Sequence, residues 1–205
     1  MRMAIPAGRL EAPSWNWLQR RGVSRGAPHG RRLWTQAGGL EVVLVRGRDI
    51  PGLVTAGVVD MAILGRDVAE ESGAALWSSA GLGFGMCRLM LAVPDGVVWD
   101  PARPWRIATR YPRLTRRWLE DQRVDAQVTT LTGSVEVAPR LGLADAVVDV
   151  VQTGETLRAN GLQAVASVLD CCAVLVTRSG EQTHALGLLD QKEAEARAVG
   201  DTQAG

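Results

Sequence analysis

A chain of 205 residues, 46% hydrophobic and 22% charged, can bury one large core or two smaller ones, which excludes a mainly disordered state. Its 23 Lys and Arg against 22 Asp and Glu give a formal net charge of +1. No general field then attracts nucleic acid or an anionic membrane, and any anion site must be local.

The apolar pattern predicts, in chain order, a strand at 3–5, a helix at 9–21, a strand at 41–45, a helix at 50–57, and strands at 61–64, 88–93 and 106–109. A helix at 111–122, a strand at 127–131, a helix at 134–141, a strand at 146–151 and a helix at 155–160 follow. A strand at 173–177 and a helix at 183–198 close the chain. This alternation predicts an α/β fold with largely parallel sheets.

Pro94-Asp95-Gly96, with Pro101 and Pro104 close behind, marks the best internal boundary, because proline and glycine stop regular structure. Lobe I is expected to span 1–93 and 174–205, and lobe II 94–173, joined by two crossings. The stretch Gly22 to Gly39 is rich in Gly and Arg and defeats periodic reading. Its arginines, like Arg113, Arg116 and Arg117, read as solvated faces, since no aromatics are interleaved to stack bases.

The start Met1-Arg-Met-Ala-Ile-Pro6 turns polar too soon for a secretory signal. No apolar run approaches the ~18 residues that cross a bilayer. A cytosolic protein is expected. The three cysteines, Cys87, Cys171 and Cys172, are too few and too oddly spaced for a disulfide framework or a zinc site, and read as small buried hydrophobes. His29 and His184 are the only histidines, so a histidine metal cluster or a Ser/His/Asp triad has little to draw on.

The segment richest in chemistry is Ala146-Val-Val-Asp-Val-Val-Gln-Thr-Gly-Glu-Thr-Leu157. An apolar strand carries one acid, Asp149, then opens into Thr153-Gly154-Glu155-Thr156 at a helix start. Unpaired first-turn amides and the helix dipole favour an anion there. Gly154 permits close backbone approach, and the hydroxyls of Thr153 and Thr156 can cap the helix or donate to a ligand. Asp149, near the carboxyl end of its strand, can accept from the hydroxyls of a ribose. Acid, spacer and Thr-Gly-x-Thr fit the outline of ribose 5-phosphate. The same residues also describe an edge acid followed by a Thr-capped helix, and taken alone they leave both readings open.

Other strand ends have similar character. Ile5-Pro-Ala-Gly-Arg9 and Val45-Arg-Gly-Arg-Asp-Ile-Pro51 place Arg9, Arg46 and Asp49 at strand exits, and Leu131-Thr-Gly-Ser-Val-Glu136 is a turn with Ser134 as the expected helix N-cap. Each is also compatible with plain capping. Together they suit a polyanionic substrate.

These segments, with Asp60-Met-Ala-Ile-Leu-Gly65 and Asp67, Gly83-Phe-Gly-Met-Cys-Arg-Leu89 and Ala108-Thr-Arg-Tyr-Pro112, are collinear over nearly the whole chain. In this order they resemble ATP phosphoribosyltransferase, the first enzyme of histidine biosynthesis. The resemblance implies a two-lobed, periplasmic-binding-protein-like (type II) fold with the active site in the inter-lobe cleft. It implies attack of adenine N1 of ATP on the anomeric carbon of phosphoribosyl pyrophosphate (PRPP), with magnesium bound to the substrate phosphates and loss of pyrophosphate.

By the same resemblance, Thr153, Gly154, Glu155, Thr156 and Leu157 hold the 5-phosphate. Asp149 and Glu136 face the ribose hydroxyls, with Gly133, Ser134 and Asp49 also lining the substrate. Arg9, Arg46 and Arg32 meet phosphates, Arg46 being assigned the charge that builds on departing pyrophosphate. One departure is Ala7, where the family commonly has lysine. The length resembles the short form of the family, which implies assembly with a regulatory subunit similar to a histidyl-tRNA synthetase, and a homodimer of catalytic subunits. Other readings are a non-enzymatic two-lobed ligand-binding or sensor module, and a phosphoribosyltransferase with another acceptor.

Overall fold

The computed structural model describes residues 1–24, 33–180, 187 and 189–191. Arg32, His29, His184 and most of the helix expected at 183–198 lie outside the described residues. The chain divides into two units, Met1–Gly85 with Cys172–Gly205, and Met86–Cys171.

Unit 1 is built on β1 (Arg2–Pro6), β2 (Trp34–Ala37), β3 (Leu40–Val45), β4 (Met61–Gly65), β5 (Leu76–Ser78) and a late strand, β11 (Ala173–Arg178), in the order β2-β3-β1-β4-β11-β5. Successive strand side chains point to opposite faces, and β1 shows the result. Met3 and Ile5 pack with Trp15 and Leu18 of α1 (Glu11–Gln19), while Ala4 packs with Ile50 and Val54 of α2 (Ile50–Thr55). Helix α3 (Arg66–Ser72) adds Val68 and Ala69 to the α2 side and buries Asp67 in its first turn.

Unit 2 holds β6 (Cys87–Pro94), β7 (Trp105–Thr109), β8 (Ala126–Thr130), β9 (Ala146–Val151) and β10 (Leu162–Cys171), in the order β10-β6-β9-β7-β8. One face packs on α4 (Pro112–Gln122), whose Leu114 and Leu119 are buried against Leu89, Ile107 and Val148. Burial of each such leucine is worth roughly 2 kcal/mol. Proline at the start of α4 loses no hydrogen bond, because first-turn amides have no intrahelical acceptor. The other face, with Ala108 and Val147, packs on Leu157 of α5 (Glu155–Ala159) and on Ala138 and Ala144.

The sheets are mixed, where largely parallel sheets were expected. Strand β1 runs parallel to β3 and β4, and β7 parallel to β8 and β9, but β2, β5, β6, β10 and β11 form antiparallel pairs. Pro94-Asp95-Gly96 begins a turn that Asp95 ties to the start of β10 through Asp95 N–H to Gly161 O at 2.9 Å. Because β6 pairs with β9 and β10, it clusters in unit 2, and the expected boundary after residue 93 falls at its far end. The helix expected at 134–141 is a single 3-10 turn, Val135–Val137, because Pro139 cannot donate to a continuing helix. Cys87 and Cys171 are buried, Cys172 is half-buried, and all three are free thiols. Among the described residues no helix is long and apolar enough to cross a membrane.

A surface bridge ties the segment before β9 to β7. Arg106 Nη2 donates to Asp145 Oδ1 at 2.8 Å, Arg106 Nε and backbone N–H donate to Oδ2 at 3.2 and 3.0 Å, and Nη1 donates to Gly142 O at 2.9 Å. The hydrogen bond from the Arg106 side chain holds the Asp145 carboxyl below its ordinary range, against a smaller opposing effect of burial. A depressed folded-state value means that the stabilisation is present above the ordinary carboxylate range and is lost as pH falls through the folded value. Asp145→Asn is therefore expected to lower the melting temperature most at neutral pH, with the gap to wild type closing below about pH 4. Thermal melts across pH check this, and a gap independent of pH contradicts it.

Candidate functional site

Strand β9 is the middle strand of the five in unit 2, so Asp149 is not an edge acid. It shares the face of Val147 and Val151 and is 5% exposed. Its Oδ1 accepts from Arg110 Nη2 at 2.8 Å, from Arg110 Nε at 3.3 Å and from the Val150 N–H at 2.8 Å. Oδ2 has no hydrogen-bond partner among the described residues. A buried carboxylate with one oxygen saturated and the other open is an arrangement for a ligand that donates, since structural carboxylates are normally satisfied on both oxygens.

Downstream of Asp149 the chain turns at Gly154, whose φ of +76° lies where L side chains are strained. A Cβ there would also meet Arg158 Nη1 at 2.9 Å. Thr153 Oγ1 accepts a long bond of 3.4 Å from the Glu155 N–H, and Arg158 Nη1 donates to Thr153 O at 3.3 Å. Thr153, Glu155 and Thr156 are exposed, while Leu157 is buried and anchors α5 to the sheet. Because α5 has only five residues, its dipole is small. What the turn offers an anion is first-turn amides and threonine hydroxyls rather than a helix dipole. A pocket of ≈ 520 Å³ reaches this turn from the β10 side, lined by Gly154, Leu157, Arg158, Leu162, Gln163 and Asp95 among others, and includes neither Asp149 nor Glu136.

Gly133 and Ser134 are exposed in the loop after β8 and Glu136 is half-buried. Ser134 has φ +48° and makes no side-chain cap, which corrects the expected N-cap: a capping residue needs extended backbone to aim its oxygen at the helix. A left-handed non-glycine residue costs of order 1–3 kcal/mol and concentrates at functional loops. The Glu136 charge also acts on Arg110, more weakly than that of Asp149. Burial works against the Arg110 charge, but the hydrogen bond to Asp149 and that carboxylate's charge outweigh it and raise the guanidinium above its ordinary value.

In unit 1, Arg46 is exposed at the entry to the 3-10 turn Gly47–Asp49, and its side chain makes no hydrogen bond or ion pair among the described residues. Asp49 is exposed, its N–H donating to Arg46 O at 2.9 Å. Arg9 is exposed and donates from Nη1 to Gly85 O at 3.2 Å. Arg32 lies outside the described residues. Sequence reasoning assigned no role to Arg110. Its signal was its place in Ala108-Thr-Arg-Tyr-Pro112, directly after a strand that runs parallel to β9.

A family model described as ATP phosphoribosyltransferase matches residues 46–194. An ATP phosphoribosyltransferase from Thermococcus gammatolerans is 45% identical over 186 residues, 89% of this chain and 90% of the relative. The solved ATP phosphoribosyl transferase (HisG:HisZ) complex from Thermotoga maritima matches with TM-score 0.77 and 29% identity, covering 95% of this chain and 97% of that one. The substrate binding protein of an amino acid ABC transporter matches with TM-score 0.60 over 100% of this chain and 96% of that one, but at 12% identity, a likeness that shows the two-lobed α/β fold alone. On the matched family model and the identity of the archaeal relative, the chain belongs to the ATP phosphoribosyltransferase family.

Proposed function

We propose that the chain transfers the phosphoribosyl group of PRPP to N1 of ATP and releases pyrophosphate, the first step of histidine biosynthesis, using Asp149 and the Thr153–Leu157 turn to hold the ribose 5-phosphate. The observation that carries the site assignment is the open Oδ2 of buried Asp149 upstream of a left-handed Gly154 flanked by exposed threonine hydroxyls.

In this reading the amides and hydroxyls of the turn bind the 5-phosphate, Oδ2 accepts from the ribose diol, and Glu136 approaches the same hydroxyls. Gly133 and Ser134 line the loop that carries Glu136, and Asp49 is assigned to the substrate by the family resemblance. The bond from the anomeric carbon to pyrophosphate breaks as adenine N1 donates its in-plane lone pair to that carbon. N1 carries no proton, so no general base is required. Pyrophosphate leaves with the bonding pair; the resemblance assigns Arg46 to its growing charge, with Arg9 and Arg32 meeting substrate phosphates. Fixing two reactants in line can supply ~7 to 11 kcal/mol of the barrier.

Magnesium prefers phosphate and water oxygens with one or two carboxylates. Among the described residues no group of three His, Cys, Asp or Glu could hold a metal, and Arg110 already covers Asp149 Oδ1. The residues fit a magnesium ion carried on PRPP, to which the half-buried Glu136 could offer a carboxylate, and the ion when bound would neutralise phosphate charge. The HisG:HisZ composition of the Thermotoga maritima neighbour supports assembly with a regulatory subunit, and a homodimer of this chain is compatible with it. The cytoplasm supplies both substrates and is the proposed location.

Incubation with ATP, PRPP and magnesium, with and without a candidate regulatory subunit, tests the reading. Formation of the N1 adduct with one pyrophosphate per turnover is expected. Pyrophosphate release with a different base and none with ATP would assign another acceptor, and no turnover under either condition would overturn the reading.

A further inference from the structure

Asp149 is held on one side only. Arg110 leaves β7 immediately after Thr109, and Thr109 pins both flanks of that exit: its hydroxyl donates to Val148 O at 2.7 Å and accepts from the Tyr111 N–H at 2.9 Å. Thr109 is fully buried, so the path of residues 109–111 is fixed against β9. The Arg110 side chain is thereby delivered to the face of β9 that carries Asp149. There both Nε and Nη2 converge on the same oxygen, Oδ1, at 3.3 and 2.8 Å.

A guanidinium usually meets a carboxylate with two parallel bonds, one to each oxygen. Here the fork falls on one oxygen, and the Val150 N–H falls on that oxygen too. The terminal torsion of an aspartate is broad and roughly two-fold. Without a partner the carboxylate would exchange its oxygens and spend little time in any one orientation. Three donors on Oδ1 stop that rotation while leaving the acceptor capacity of Oδ2 intact.

Resting on the assignment of Asp149 to the ribose diol, we propose that Arg110 is a positioning residue for PRPP binding: it locks the Asp149 carboxylate with Oδ2 presented to the ribose. It acts through Asp149 and need not touch the substrate. The Glu136 charge, which also acts on Arg110, couples the second carboxylate of the site to the same guanidinium.

The test is a double-mutant cycle read by calorimetric titration of PRPP. Arg110→Met in the wild-type background is expected to weaken PRPP binding about tenfold, the size of one lost orienting interaction of this kind. In an Asp149→Asn background the same change is expected to cost less than about twofold, because the group it orients is gone. In steady-state assays the KM for PRPP should rise while turnover at saturating PRPP stays within about threefold, a split that general loosening of the unit would not produce.

If Arg110→Met fails to fold by circular dichroism, Arg110→Lys is used. It keeps the charge and replaces the fork by a single ammonium, and about a threefold loss confined to the wild-type background is expected on the same grounds. Equal losses in both backgrounds show direct substrate contact by Arg110 and overturn the proposal, as does unchanged affinity in the folded Arg110 variant. Unchanged affinity in Asp149→Asn alone overturns the underlying assignment of Asp149, a result distinct from either.

Discussion

Arg46→Ala is expected to lower turnover by about a hundred- to a thousand-fold, the loss seen when one donor aimed at developing charge is removed. The basis is a cation with no protein partner among the described residues, standing exposed where β3 gives way to a 3-10 turn. A charge kept unpaired contributes little to stability, so the melting temperature should be close to wild type. Negative charge grows on pyrophosphate as the bond to the anomeric carbon opens, and a donor realised mainly at that stage lowers the barrier without tightening the ground state. The expected signature is a fall in kcat with little change in the KM for PRPP. Turnover within a few-fold of wild type, measured with and without a candidate regulatory subunit, contradicts the role.

Asp149→Asn is expected to weaken PRPP binding by about ten- to a hundred-fold, because hydrogen bonds to a charged acceptor are worth about 1.5 to 3 kcal/mol. This change should also cost stability, since it removes the carboxylate that pairs with Arg110. Breaking a fully buried pair costs about 3 to 5 kcal/mol. The Arg110 side chain is 32% exposed and can recover water, so about 1 to 2 kcal/mol is expected here. Calorimetric titration with PRPP and denaturant unfolding separate the two effects. Full PRPP affinity in a folded Asp149→Asn protein removes Asp149 from the site.

Much of the architecture was legible because buried strands announce themselves. Met3, Ile5, Met61, Ile63, Val147 and Val148 lie in short apolar runs that have few alternatives to a sheet interior. The strand β10 was not legible. Its sequence Leu-Gln-Ala-Val-Ala-Ser-Val-Leu-Asp-Cys is largely exposed at a sheet edge, and register shifts between Ala164 and Ala166 and between Ser167 and Leu169 break the alternation. Helix α3 escaped notice because it is short and opens on Arg66-Asp67, charged residues that give no periodic apolar signal.

The candidate site divides in the same way. Thr-Gly-Glu-Thr after an acid is a local pattern, readable from spacing, and the left-handed Gly154 gives it a backbone reason. The left-handed backbone of Ser134 was hidden, since serine at that point reads as an ordinary cap. The partnership of Arg110 with Asp149 was hidden too, because it depends on Thr109 lying beside Val148 across two parallel strands that are far apart in sequence. Pairings between parallel strands leave no short-range trace.

The most direct measurement is a crystal structure of the enzyme with PRPP bound. The account predicts the 5-phosphate against the amides of Gly154 to Leu157 and the ribose hydroxyls on Asp149 Oδ2, with Arg110 still on Oδ1. PRPP ordered elsewhere, with the turn at Gly154 empty, would contradict it.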